Sequence, residues 1–93
     1  MALRLMIVED DESLVELLRY NFAAAGYAVE TVMHGDEAEA RLKEGVPDLL
    51  ILDWMLPGLS GIELCRRLRQ KPKTQRLPII MLTARGEEPD KLR

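Results

Sequence analysis

Leu49-Leu50-Ile51-Leu52-Asp53 is an apolar run that ends in an acid, and Trp54-Met55-Leu56-Pro57-Gly58 follows it directly. An uncharged run this short, with no polar alternation, suits a central parallel strand covered on both faces. Pro57-Gly58 then makes a turn. Leu3 to Val8, broken only by Arg4, and Ile79 to Leu82 are runs of the same kind, while Ala28 to Val32 is more polar and suits an edge strand. Between the runs lie helical patterns. Leu14, Leu17, Leu18, Asn21 and Ala25 mark one face, with Gly26 as a stop. Ala38 and Leu42, ended by Gly45, mark a second helix that starts near Asp36, and Ile62, Leu64, Cys65 and Leu68 mark a third that ends before Pro72. The alternation of strand and helix calls for an α/β domain, a doubly wound parallel sheet with right-handed crossovers. A fourth helix is expected around Glu87 to Leu92, with Pro89 in its first turn. No C-cap or closing strand follows before Arg93, so the sequence reads as a doubly wound domain cut short.

The 93 residues allow one small domain. With 47% hydrophobic and 31% charged residues the balance is globular, and 4% aromatics leave the core to Leu, Ile, Val, Met and Ala. A net charge of −3 offers no basic surplus for phosphates, which argues against binding to nucleic acid. The single cysteine, Cys65, excludes an internal disulfide and a multi-cysteine zinc site. No run is long enough to span a bilayer, and the acidic start argues against a secretory signal, so a cytoplasmic location is expected.

In open parallel sheets, ligands bind beyond the carboxyl ends of the strands. The first strand ends in Glu9-Asp10-Asp11, the third in Asp53 and the fourth in Thr83-Ala84. Adjacent strands lie about 4.8 Å apart, so Asp10 and Asp53 on neighbouring strands would repel one another unless a cation were present. Oxygen ligands with room for water suit Mg2+ or Mn2+ better than zinc. Asp11 is expected to cap the helix that begins near Ser13, and Glu12 to suit its dipole, which leaves Glu9 and Asp10 for the site. Asp48 is about 17 Å away at the other end of the third strand and reads as a solvated strand-start residue.

Ile7-Val8-Glu9-Asp10-Asp11, Leu52-Asp53-Trp54-Met55-Leu56-Pro57-Gly58 with Gly61, and Met81-Leu82-Thr83-Ala84-Arg85 together resemble the receiver (CheY-like) domain of two-component response regulators. The Asp-Trp-Met-Leu-Pro and Leu-Thr-Ala-Arg-Gly-Glu-Glu stretches look closest to the OmpR/PhoB subfamily, whose phosphate-responsive members regulate transcription. The resemblance covers the whole chain in order. It implies a flavodoxin-like sheet, here four strands in the order 2-1-3-4. It also implies that Asp53 accepts a phosphoryl group from a sensor histidine kinase, of a PhoR-like kind. Asp10 and Asp53 match carboxylate ligands of Mg2+, with Glu9 acting through water or directly and Met55 supplying a backbone carbonyl. Thr83 matches the switch hydroxyl, and the Ala84 amide a donor to the phosphoryl group. The family's lysine at the end of a fifth strand has no counterpart among Lys43, Lys71, Lys73 and Lys91. A fifth strand, a last helix and a DNA-binding output domain are expected to be missing from residues 1–93. Without a fifth strand, Ile79 to Leu82 becomes an edge, so self-association through that strand or by exchange of elements is expected.

The remaining residues read blandly. Trp54 either flanks the pocket or is a loop aromatic, His34 is a loop or cap residue, and Cys65 is a small buried hydrophobe. Met1, Met6, Met33 and Met81 are starts or core fillers. Arg66, Arg67 and Arg69 form a solvated face. Three other functions compete with a phosphoacceptor. A haloacid-dehalogenase-type phosphohydrolase needs two aspartates two residues apart after the first strand, where this chain reads Asp10-Asp11-Glu12. A nucleotide-binding Rossmann unit needs a glycine-rich first turn, where this chain has Glu-Asp-Asp-Glu. A non-catalytic scaffold or chimeric part would use the fragment for its fold alone.

Overall fold

A computed structural model describes residues 2–82 of the chain. Seven elements follow one another: β1 (Arg4–Val8), α1 (Glu12–Ala24), β2 (Ala28–Val32), α2 (Gly35–Glu44), β3 (Leu49–Asp53), α3 (Gly61–Arg69) and β4 (Ile79–Leu82). All strand pairs are parallel, and the sheet order is β2-β1-β3-β4. The chain therefore adopts the flavodoxin-like order expected from its sequence. Thr83, Ala84 and the helix expected at residues 87–92 lie outside the described residues.

The lack of alternation in β1 and β3 follows from covering on both faces. Met6, Val8, Leu50 and Leu52 pack with Ala38 and Leu42 of α2 and Leu64 and Leu68 of α3. Leu5, Ile7 and Ile51 pack on the other side with Leu18 and Phe22 of α1. A strand turns successive side chains to opposite faces, so even positions serve one helix layer and odd positions the other. Phe22 meets Tyr27 edge-on at 5.5 Å, which fixes the turn from α1 into β2.

Helix boundaries follow their capping residues. Asp11 accepts hydrogen bonds from the Ser13 and Leu14 amides at 3.0 and 3.3 Å, as its position before α1 predicts. His34 occupies the N-cap of α2 without a side-chain cap bond, and Ser60 caps α3 through the Glu63 amide. Cys65 is half-buried against the α2/α3 core.

Three packing expectations need correction. The buried residue of α1 is Val15, whereas Leu17 is 58% exposed and Asn21 is exposed. The inward stripe runs through Leu14, Val15, Leu18 and Phe22, which leaves Leu17 and Asn21 on the outer side of the helix. Ile62 of α3 is 50% exposed because Leu64 and Leu68 fill the core-facing stripe. Arg67 and Arg69 are more than a solvated face. Arg67 pairs with Glu39 of α2 and Glu63 of its own helix. Arg69 donates to the Thr74, Gln75 and Leu77 carbonyls at 3.4, 3.0 and 2.8 Å, tying down the connection into β4. Thr74, buried there, donates its hydroxyl to the Leu68 carbonyl at 2.6 Å.

Candidate functional site

The register of β1 on β3 pairs Leu5 with Leu49 and Val8 with Leu52. Carried one step beyond the last rung, it sets Glu9 level with Asp53. Both lie in the odd-numbered series that runs Leu5-Ile7-Glu9 and Leu49-Ile51-Asp53, so strand alternation delivers them to the same side of the sheet at its carboxyl edge. Asp10, the first residue past them, joins from the β1–α1 loop. The carboxylates of Glu9, Asp10 and Asp53 offer oxygens that all lie within 4.8 Å of one another. Among the described residues, this is the group of acids gathered closely enough to share an ion.

Burial divides the three. Glu9 and Asp53 are buried, with 4% and 9% of their surface exposed, and Asp10 is open to solvent. Glu9 is pushed up to about 7 from the ordinary 4.5. Desolvation by burial is the main cause; the Asp11 amide opposes it by donating to Glu9 Oε2 at 3.0 Å. The nearby Asp53 and Asp10 charges and a shared hydrogen bond with Asp53 raise it further. The sequence pointed to crowding between Asp10 and Asp53, whereas the structure places the strongest perturbation on the buried Glu9. Its signal was available in the alternation of β1, which points residue 9 inward.

The β3–α3 loop sits beside this cluster. The Met55 amide donates to Asp53 Oδ1 at 3.2 Å, while the Met55 side chain is exposed. The Trp54 amide donates to the Leu82 carbonyl at 2.9 Å, which ties the start of the loop to the end of β4. Leu56 is buried, and Gly58 takes a φ of 74° that favours glycine, so Pro57-Gly58 turns the chain as its sequence predicts. Trp54 is half-buried. Gly61 carried no role of its own in the sequence reading, yet its amide donates to the Trp54 carbonyl at 3.0 Å.

Asp48, Asp11 and His34 stand outside the cluster. Asp48 is exposed and accepts from the Arg4 amide at 2.7 Å, in keeping with a strand-start residue. Three carboxylates with burial on two of them fit a hard divalent cation: every donor is oxygen, and the exposed Asp10 side leaves access for water. Thr83 and Ala84, the other residues expected at this edge, lie outside the described residues. No helix among the described residues is long and apolar enough to cross a membrane.

Residues 5–93 match the family model of the response regulator receiver domain. The chain is 68% identical over 90 residues to the phosphate regulon transcriptional regulatory protein PhoB of Rhizobium meliloti, a match that covers 97% of this chain and 40% of that protein. It thus spans well under half the length of this curated relative. A putative response regulator from Chloroflexus aurantiacus has the same fold, with a TM-score of 0.92 and 42% identity over 99% of this chain and 75% of that one. The receiver domain of the sensor histidine kinase PA1611 from Pseudomonas aeruginosa, solved with a magnesium ion coordinated in its active-site cleft, aligns with a TM-score of 0.89. That match has 27% identity over 100% of this chain and 76% of that one.

Proposed function

This chain belongs to the response regulator receiver domain family, and from that premise we propose that Asp53 is its phosphoacceptor, charged by a sensor histidine kinase. It is a signalling domain rather than a classical enzyme. The observation that carries the proposal is the meeting of Glu9, Asp10 and Asp53 within 4.8 Å at the carboxyl ends of adjacent strands. In the transfer, an Asp53 carboxylate oxygen attacks phosphorus and the bond from phosphorus to the kinase imidazole nitrogen breaks. The nitrogen keeps the electron pair and takes up a proton, and an acyl phosphate remains on Asp53. Glu9, Asp10, Asp53 and the Met55 carbonyl would hold Mg2+ or Mn2+, which when bound supplies positive charge against the phosphoryl oxygens.

Around that ion, this chain's own residues have separate tasks. Asp53 is the nucleophile, held by the Met55 amide. Glu9, held by the Asp11 amide, is raised to about 7 chiefly by burial, so a cation at the cluster would compete with a proton for its carboxylate. The Thr83 hydroxyl and the Ala84 amide would receive the phosphoryl oxygens. Similarity to PhoB supports a phosphate-responsive role in transcription for the longer protein, a PhoR-like kinase partner and a cytoplasmic setting. Self-association of the 93-residue chain is the remaining partner proposal. Among the described residues β4 pairs with β3 alone and Ile80 is 48% exposed; a single monomeric species in sedimentation at micromolar concentration would refute it.

The test of the phosphoacceptor reading is a mass measurement after exposure to acetyl phosphate and Mg2+. One phosphoryl group should be gained by the wild-type chain, and none in excess chelator or by Asp53→Asn. Gain by Asp53→Asn would overturn the assignment.

A further inference from the structure

Two helices begin against the loop that follows Asp53, and each begins with a buried glycine. Gly61 opens α3 and Gly35 opens α2. Neither needs glycine for its backbone angles, because Gly26 and Gly58 are the glycines with positive φ among the described residues. What each uses is the missing side chain. A Cβ on Gly61 would collide with the Asp53 carbonyl oxygen and stand 2.9 Å from the Asp53 carbonyl carbon and 3.1 Å from the Trp54 Cα. A Cβ on Gly35 would collide with the Leu59 carbonyl oxygen, with the Leu59 carbonyl carbon at 3.1 Å. Main-chain atoms cannot swing aside as a flexible side chain can, so any side chain at either position displaces backbone.

The two collisions fall on different parts of the loop. Gly61 lies on the main chain of Asp53 itself, and its amide donates to the next carbonyl, that of Trp54, at 3.0 Å. Gly35 lies on Leu59, at the far end of the loop. We propose that Gly61 is a positioning residue for the Asp53 site: direct contact between α3 and the Asp53 main chain sets where the Asp53 carboxylate stands relative to Glu9 and Asp10. The inference rests on the reading of these carboxylates as a cation site. It adds a requirement for glycine at residue 61 that comes from contact with the acceptor rather than from a turn. Sites of this kind depend on their supporting atoms, because a small displacement of one ligand costs coordination by all of them.

Gly35 supplies the internal control, since Gly35→Ala imposes the same kind of collision away from Asp53. The experiment uses the 93-residue chain as wild type, Gly61→Ala and Gly35→Ala. Thermal melting reports stability, and electron paramagnetic resonance of free Mn2+ reports the binding constant without any phosphoryl chemistry. Both variants should melt below wild type. Gly61→Ala should bind Mn2+ about tenfold or more weakly, whereas Gly35→Ala should stay within about twofold of wild type. Wild-type affinity in Gly61→Ala, or an equal loss in Gly35→Ala, overturns the proposal. A wild-type chain that binds no Mn2+ overturns the cation-site reading itself, and this proposal with it.

Should Gly61→Ala fail to fold, amide exchange on the wild-type chain decides the matter. If the clamped geometry is the one that binds the ion, the ion must in turn favour the clamp. Mn2+ is paramagnetic, so Mg2+ is the probe there. It should slow exchange of the Gly61 amide, held by Trp54, more than that of the Gly45 amide, held by Arg41 at the far end of α2. Equal or absent protection at Gly61 overturns the proposal.

Discussion

Asp48 precedes β3 and Asp53 closes it, so one short strand has an aspartate at either end. At the amino edge, the exposed Asp48 accepts the Arg4 amide, and the Arg4 guanidinium donates to the Val46 carbonyl close by. At the carboxyl edge, Asp53 is buried beside Glu9 and Asp10, and the carboxylates face one another. The helix layer repeats the first pattern. Arg41 joins Glu30 and Glu37, and Arg67 joins Glu39 and Glu63, each acid meeting a cation. Five glutamates of the helices and β2 thus sit against arginines, whereas Glu9, Asp10 and Asp53 gather together at one edge. Carboxylates gathered at such close range repel one another, which is the ground for reading this edge as a cation site.

The largest expected effect separates the two aspartates outright. Phosphopeptide mapping of the wild-type chain should find the phosphoryl group on Asp53, with Asp48→Asn taking it up as fully as wild type. Modification of Asp48, Asp10 or His34 instead would break the contrast between the two ends of β3.

A second effect comes from Glu9, whose folded-state pKa of about 7 stands above its ordinary 4.5. Below pH 4.5 it is protonated in folded and unfolded chains alike. Between 4.5 and 7 the folded chain holds the proton more tightly, so stability falls as pH rises through that window. The full decline is about 3 kcal/mol on the scale of one pKa unit to 1.36 kcal/mol. Urea midpoints in chelator across that range measure it. Glu9→Gln should flatten the decline, and saturating Mg2+ should counter it, because the ion replaces the proton. A wild-type midpoint that rises with pH over this window in chelator would contradict the reading of Glu9.

These effects also show how far the sequence could be read. The runs Leu49–Leu52 and Ile79–Leu82 and the punctuation at Gly26, Gly45 and Pro57-Gly58 located every described element, because strand burial and chain turns are local properties. Strand order was not local: it came with the resemblance to receiver domains, which implies 2-1-3-4. What stayed hidden was tertiary. Which side of α1 faces inward is set by how the helix docks on the sheet, so the spacing of its leucines alone does not single out Val15 or exclude Leu17. The carbonyls that Arg69 gathers belong to a connection with no periodicity to read. Gly61 could be quoted as part of a motif, but its contact with the Asp53 main chain exists only after α3 has docked.

The smallest expected effects differ in sign, which makes them the sharpest comparison of the two ends. Asp53→Asn keeps the shape of the side chain and an oxygen that can accept the Met55 amide, while it removes one of three crowded charges. In chelator near neutral pH it should stabilise the fold by about 1 kcal/mol, roughly one pKa unit of relieved repulsion on Glu9. Asp48→Ala removes an exposed acceptor from the Arg4 amide and should destabilise by about 0.5 to 1 kcal/mol, the usual net worth of one hydrogen bond. Added Mg2+ should reverse the ranking at the carboxyl edge, since the wild-type chain then gains an ion that Asp53→Asn holds less well. It should leave the loss in Asp48→Ala unchanged. Urea midpoints for the two variants, with and without Mg2+, test all four values. If Asp53→Asn lost stability in chelator as Asp48→Ala does, the crowding at the carboxyl edge would be relieved by the protein's own groups, and the need for a cation there would fall away.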